Sequence, residues 1–213
     1  ALRALTDRTS ELKNVPVEPY VEALKSDDPR IQAQALISLG RLVNSDVAEA
    51  ILPLTIRAEG SVLPTAEPLW NQADAGRVLP HLAVQTLRTL NAYEACLKAI
   101  PGPYQDGALW ALKGMHDEGA VDGLLLTLSK TYDSELRREL FTTLIRLYPR
   151  EADYEGGWWG TRPDTSGPYY DRQPWAGTQK IEDTIRVAVT DSDNATVQHI
   201  LEQLARHVVK IDG

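Results

Sequence analysis

Asp27-Asp28-Pro29-Arg30-Ile31-Gln32-Ala33-Gln34-Ala35-Leu36-Ile37-Ser38-Leu39-Gly40-Arg41-Leu42 reads as one helix with its start signal attached. Asp28 can accept from the first free N–H groups, and Pro29 fits the first helical position, where no N–H is needed. Ile31, Ala35, Leu36, Leu39 and Leu42 recur at spacings of three and four, which places them on one helical face. Gly40 weakens the helix and points to close packing by a neighbour. Asn44-Ser45-Asp46 breaks the helix and caps a second one, whose apolar face is Val47, Ala50, Ile51, Leu54 and Ile56. Two amphipathic helices joined by about three residues form an antiparallel hairpin.

The phrase returns along the chain. Thr131-Tyr132-Asp133-Ser134-Glu135 precedes Leu136, Leu140, Phe141, Leu144 and Leu147. Thr190-Asp191-Ser192-Asp193-Asn194 precedes Val197, Leu201 and Leu204. Weaker copies are Leu82, Thr86, Leu87, Leu90 and then Leu109, Leu112, Met115. Helix pairs repeated every 30–50 residues or so indicate an α-solenoid, in which stacked neighbours bury the faces that no pair can bury alone. Ile185-Arg186-Val187-Ala188-Val189 alternates like a strand, but in this setting it reads as helix. The expected fold is all-α: a right-handed superhelix of helix pairs, one domain over residues 1–213, with an irregular insertion at 149–179.

Composition narrows the function. The chain has 213 residues, with 22 Lys+Arg against 30 Asp+Glu and a formal charge of −8. An acidic balance without a basic stripe argues against a nucleic-acid partner. No apolar run approaches the roughly 20 residues of a membrane span, so membrane insertion is not expected. The lone Cys96 excludes an internal disulfide framework, a Cys-based metal site and a C-x-x-C-H haem attachment within the chain. It lies in an apolar helical pattern and reads as a buried, inert thiol.

His81, His116, His199 and His207 form no H-E-x-x-H or comparable ligand pair, and no metal or other cofactor is expected. His116-Asp117-Glu118 reads as a helix end before a turn at Gly119, Asn194 as a helix cap, and Arg137-Arg138 as a solvated helix face. No G-x-S-x-G, P-loop or G-x-G-x-x-G motif is present. The reading is therefore non-enzymatic. The chain opens in mid-pattern with Ala1-Leu2-Arg3-Ala4-Leu5, and is read as a piece of a longer protein.

Two stretches interrupt the helices. Residues 59–78 carry Gly60, Pro64, Pro68, Trp70 and Gly76 and read as a connector. The stretch from Pro149 to Gln179 is more informative. It holds five Gly, four Pro and six of the fourteen aromatic residues of the chain. A flexible linker is polar and poor in aromatics, so this insertion is expected to fold onto something. Three readings stand. The aromatics plug the helical array in place of a capping repeat. They present Trp, Tyr and Arg to another domain or protein, in the manner of a binding hot spot. Or they form a saccharide platform, with polar groups such as Arg162, Asp164 and Asp171. The candidate binding residues are Trp158, Trp159, Arg162, Asp164, Tyr169, Tyr170 and Trp175. Carboxylates here (Asp153, Glu155, Asp164, Asp171) are compatible with glycosidase chemistry, but sequence fixes no separation between them.

Two resemblances add to this. Asp27–Leu42 resembles the second helix of bacterial HEAT-like repeats, with an Asp-Pro turn followed by a small apolar face. The string Tyr154-Glu155-Gly156-Gly157-Trp158-Trp159-Gly160-Thr161-Arg162-Pro163-Asp164-Thr165-Ser166-Gly167-Pro168-Tyr169-Tyr170 resembles a motif of large secreted proteins of planctomycete and verrucomicrobial type. Those proteins join a sorbosone-dehydrogenase-like propeller, HEAT-like repeats and a c-type cytochrome domain. The resemblance implies a periplasmic or secreted scaffold whose partners are neighbouring domains or another protein. A carbohydrate-binding or carbohydrate-active module is the alternative.

Overall fold

The computed structural model describes residues 2–57, 75–153 and 169–211, and is mostly helical. Packing divides the chain into two compact units, residues 1–112 and 113–213.

In the first unit, α1 (Glu18–Ala23) leads into α2 (Pro29–Leu42), followed by the short α3 (Ala48–Ile51). After the connector come α4 (Ala75–Thr89), α5 (Tyr93–Ala99) and α6 (Gln105–Leu112). Asp28 caps α2 as its sequence predicts: its carboxylate accepts from the Arg30 N–H at 2.9 Å. Asn44 accepts from the Asp46 N–H at 2.9 Å and starts the next helical turn. Helix α2 packs on both α1 and α4, and α6 packs on both α4 and α5. Ala35, Leu36 and Leu39 of α2, Ala83, Val84 and Leu87 of α4, and Ala108, Leu109 and Leu112 of α6 form the buried centre. Cys96 of α5 is buried there too, and burial pushes its thiol up to about 12. Within this centre the Thr86 hydroxyl donates to the Leu36 carbonyl, and Thr6 hydrogen-bonds Ser38 at 2.9 Å.

The second unit holds α7 (Glu118–Lys130), α8 (Ser134–Leu147), α9 (Thr178–Asp191) and α10 (Asn194–Arg206). The stretch Ile185–Val189 is helical, as the sequence implies. Helix α8 is the hub, packing on α7, α9 and α10. Leu140, Phe141, Leu144, Ile145 and Leu147 of α8 are buried against Ile181 and Ile185 of α9 and Ile200 of α10.

Three local readings change. Asp117 is not at a helix end but caps α7, accepting from the Gly119 N–H at 2.8 Å. The cap of α10 is Asp193, which accepts from both the N–H and the hydroxyl of Thr196, and Asn194 is the first helical residue. Arg137 is no solvated face residue: its guanidinium donates to the Leu128 and Thr131 carbonyls at the end of α7.

The insertion enters and leaves through a two-stranded antiparallel ladder that its composition does not announce. Strands β1 (Arg150–Glu151) and β2 (Arg172–Gln173) pair Arg150 with Gln173 and Glu151 with Arg172.

Two glycines in the first unit test how tightly its helices meet. A Cβ on Gly40 would lie 3.7 Å from the Thr86 side chain, an ordinary contact, so the approach that Gly40 suggests leaves room for a methyl. A Cβ on Gly107 would fall 1.9 Å from Thr55 Oγ1. Gly40→Ala is therefore expected to stabilise by about 0.5–1 kcal/mol. Gly107→Ala is expected to destabilise by about 1–3 kcal/mol or more. Chemical denaturation of both variants checks the opposite signs.

Candidate functional site

The last turn of any helix leaves backbone carbonyls without partners inside the helix. At the end of α8 three successive carbonyls are met by side chains from three different places. The Trp175 indole N–H donates to the Leu147 carbonyl at 2.7 Å. The Thr178 hydroxyl, at the start of α9, donates to the Tyr148 carbonyl at 3.1 Å. His116, in the turn before α7, donates from Nε2 to the Pro149 carbonyl at 2.9 Å. A carbonyl can only accept, so this bond fixes the His116 tautomer with its proton on Nε2. The His116 and Trp175 rings meet edge to face at 5.3 Å. Thr178 also accepts from the Trp175 N–H at 2.9 Å. A Cβ on Gly177 would fall 2.5 Å from the Trp175 ring, so glycine is what allows the indole to lie there.

One residue earlier on α8, the Arg146 guanidinium sits 4.4 Å from the centre of the Tyr169 ring. Tyr169 is 5% exposed and stacks on His207 at 5.8 Å, with its hydroxyl hydrogen-bonded to Nδ1. Burial is the main cause that holds His207 down at about 4, reinforced by Arg146, Arg206 and Lys113. Burial likewise lowers His116. Beyond His207, the Arg172 guanidinium donates to the Val208 carbonyl. Val208 closes α10 with φ 53°, a left-handed position that a β-branched residue adopts at a cost.

The candidate binding residues thus divide. Tyr169 and Trp175 come together on α8, and their polar groups are spent on internal bonds. Tyr170 is half-buried, and its N–H donates to Glu151 at 3.1 Å. Trp158, Trp159, Arg162 and Asp164 lie outside the described residues, as does Trp70. Sequence reasoning passes over Arg146, His116, Thr178 and His207 as members of this cluster, because each reaches it through a contact distant in the chain.

The other two histidines are held by separate local contacts. His199 Nε2 lies 2.8 Å from the Thr142 hydroxyl, whose own proton goes to the Arg138 carbonyl. Nε2 therefore carries the proton and donates to Thr142. In the first unit His81 lies 6.2 Å from the Trp110 ring, over which Arg57 stacks at 4.5 Å. Among the described residues no group of three or more His, Cys, Asp or Glu is placed to hold a metal. No helix among them is long and apolar enough to cross a membrane.

No family model and no curated protein matches this chain. It is similar to an engineered protein of known crystal structure at 16% identity and a TM-score of 0.35, over 96% of this chain and 87% of that one. A likeness at that level carries no argument about fold or function.

The histidines give the cluster a pH dependence. Unfolded, His207 and His116 titrate near 6.5, whereas both are held below that value when folded. Below about pH 6.5 the unfolded chain binds more protons at these two histidines, so stability falls as pH drops, and the His207 share of the loss is complete below about 4. For half-buried His207 the loss is expected to be on the order of 1–2 kcal/mol. Urea denaturation at pH 7 and pH 4.5 checks this. His207→Gln should flatten the decline, and an unchanged slope would exclude His207 as its source.

Proposed function

We propose that the chain is a non-catalytic helical-repeat scaffold that positions neighbouring domains or a protein partner. The observation that supports this is the alternation of packing within the first unit. The second helix of each successive pair rests on the next, α2 on α4 and α4 on α6, while α1 and α5 pack on α2 and α6. In the second unit α8 and α10 are related in the same way, with α7 on α8 and α9 on α10. Stacked pairs of this kind build extended surface rather than one deep pocket, which suits a HEAT-like solenoid role.

The side chains that could carry chemistry support the same reading. Cys96 is buried with a thiol pushed up to about 12, and His116, His199 and His207 are held by bonds within their own unit. The unit surfaces still offer apolar anchors, such as Tyr132 at 96% and Leu126 at 55% exposed. Such residues, when grouped, mark contact sites. On this proposal the insertion is a docked element of the scaffold, and the parent is a larger secreted protein of redox or carbohydrate-oxidising type.

Two measurements test the proposal. The protein isolated from its native source should have a mass well above 23.6 kDa and carry a haem absorption band from another domain. Tryptophan fluorescence should stay flat when mono- and oligosaccharides are titrated in. A saturable response would transfer the function to carbohydrate recognition by the insertion.

A further inference from the structure

We propose that a cleft beside the return strand of the insertion binds a small organic anion, gripped by the Arg172 guanidinium and the Lys210 ammonium. The cleft, in the second unit, has a volume of about 410 Å³, and Pro149, Pro174, Val208 and Val209 supply its apolar walls. That volume is within the range of small-molecule sites, roughly 300–1,000 Å³. Arg172 and Lys210 are its two charged lining residues, and neither Asp nor Glu lines it. A cationic cleft of this kind stands out in a chain whose formal charge is −8.

Arg172 is already oriented. One of its terminal nitrogens donates to the Val208 carbonyl, which anchors the guanidinium at the cleft. The opposite edge, Nε with the other terminal nitrogen, has no partner among the described residues. Two parallel N–H groups match the two oxygens of a carboxylate or phosphate. Lys210 adds a mobile point charge on the opposite segment of the lining.

Besides the two cations the Gln173 amide lines the cleft, its Nε2 reaching Asp171 at 3.5 Å. The Thr178 hydroxyl is committed to the Tyr148 carbonyl, and the Tyr148 hydroxyl donates to Glu182 at 2.9 Å. Of the nearby carboxylates, Glu182 pairs with Arg186 at 2.8 Å, Glu151 accepts from the Tyr170 N–H and Asp171 accepts from the Gln173 amide at 3.5 Å. The ligand class that fits is a carboxylate or phosphate group on a small apolar body, the body resting on the prolines and valines. This inference is independent of the scaffold proposal.

Calorimetric titration with citrate and with inorganic phosphate, at matched ionic strength, tests it. Saturable binding of at least one probe is expected, and which probe binds tells carboxylate from phosphate recognition. Lys210 is exposed and makes no ion pair among the described residues, so Lys210→Gln should keep the fold and weaken binding about tenfold. Arg172→Gln should abolish binding, and Arg172→Lys, which keeps the charge but loses the fork, should fall between. Failure of both probes to bind the wild-type protein would overturn the proposal. So would binding that survives Lys210→Gln and Arg172→Lys unchanged.

Discussion

Three backbone carbonyls in a row, Leu147, Tyr148 and Pro149, have to be satisfied where α8 ends, and the second unit is arranged around that need. Leaving a buried carbonyl unpaired costs about 1–3 kcal/mol. Here the cost is met by Trp175 from the returning insertion, Thr178 from the start of α9 and His116 from the turn before α7. One helix terminus therefore ties together segments that are far apart in sequence. The returning stretch from Tyr169 to Thr178 is held to the helices by specific polar bonds as well as by aromatic burial, and the ladder between β1 and β2 starts where the carbonyl row stops.

Side-chain closure of helix ends recurs elsewhere. Gln32 of α2 donates to the Leu24 carbonyl just after α1. Arg88 of α4 donates to the Trp110 and Ala111 carbonyls of α6. Arg137 of α8 closes α7 in the same manner. Each places a donor, and in two cases a positive charge, at the negative end of a helix dipole. These bonds connect one helix to its neighbour, so they fix helix order as well as helix length. By contrast the surface ion pairs, such as Lys98 with Glu49 or Lys180 with Asp122, are solvent-exposed and contribute little.

The helices and most of their starts are legible in the sequence because their signals are local. An Asp followed by a helical apolar period identifies Asp28 as a cap without knowledge of any neighbour, and Asp133, in the same place before α8, accepts from the Glu135 N–H at 2.8 Å. The same logic slips by one residue at Asn194, where the Asp before it has the better geometry. It fails at Asp117 because Gly119 reads as a turn, although α7 accommodates it. What stays hidden is whatever depends on long-range pairing. Nothing in the vicinity of Arg137, His116 or Trp175 says which carbonyl each will reach. Of the candidate site, the aromatic character of the insertion is visible in the sequence. That Tyr169 lies beneath Arg146 and Trp175 crosses to Leu147 is decided by tertiary contacts.

The ladder between β1 and β2 also changes what the insertion is to the rest of the chain. Because Glu151 and Arg172 are cross-strand partners, the two ends of the intervening segment already stand side by side. The chain between them returns to the helices through Tyr169, which is buried against Arg146 and His207, so its far end is anchored as well as its base. The ladder and Tyr169 thus give the helices two fixed points on the same returning stretch, and a change at either one is felt at the end of α8 and of α10.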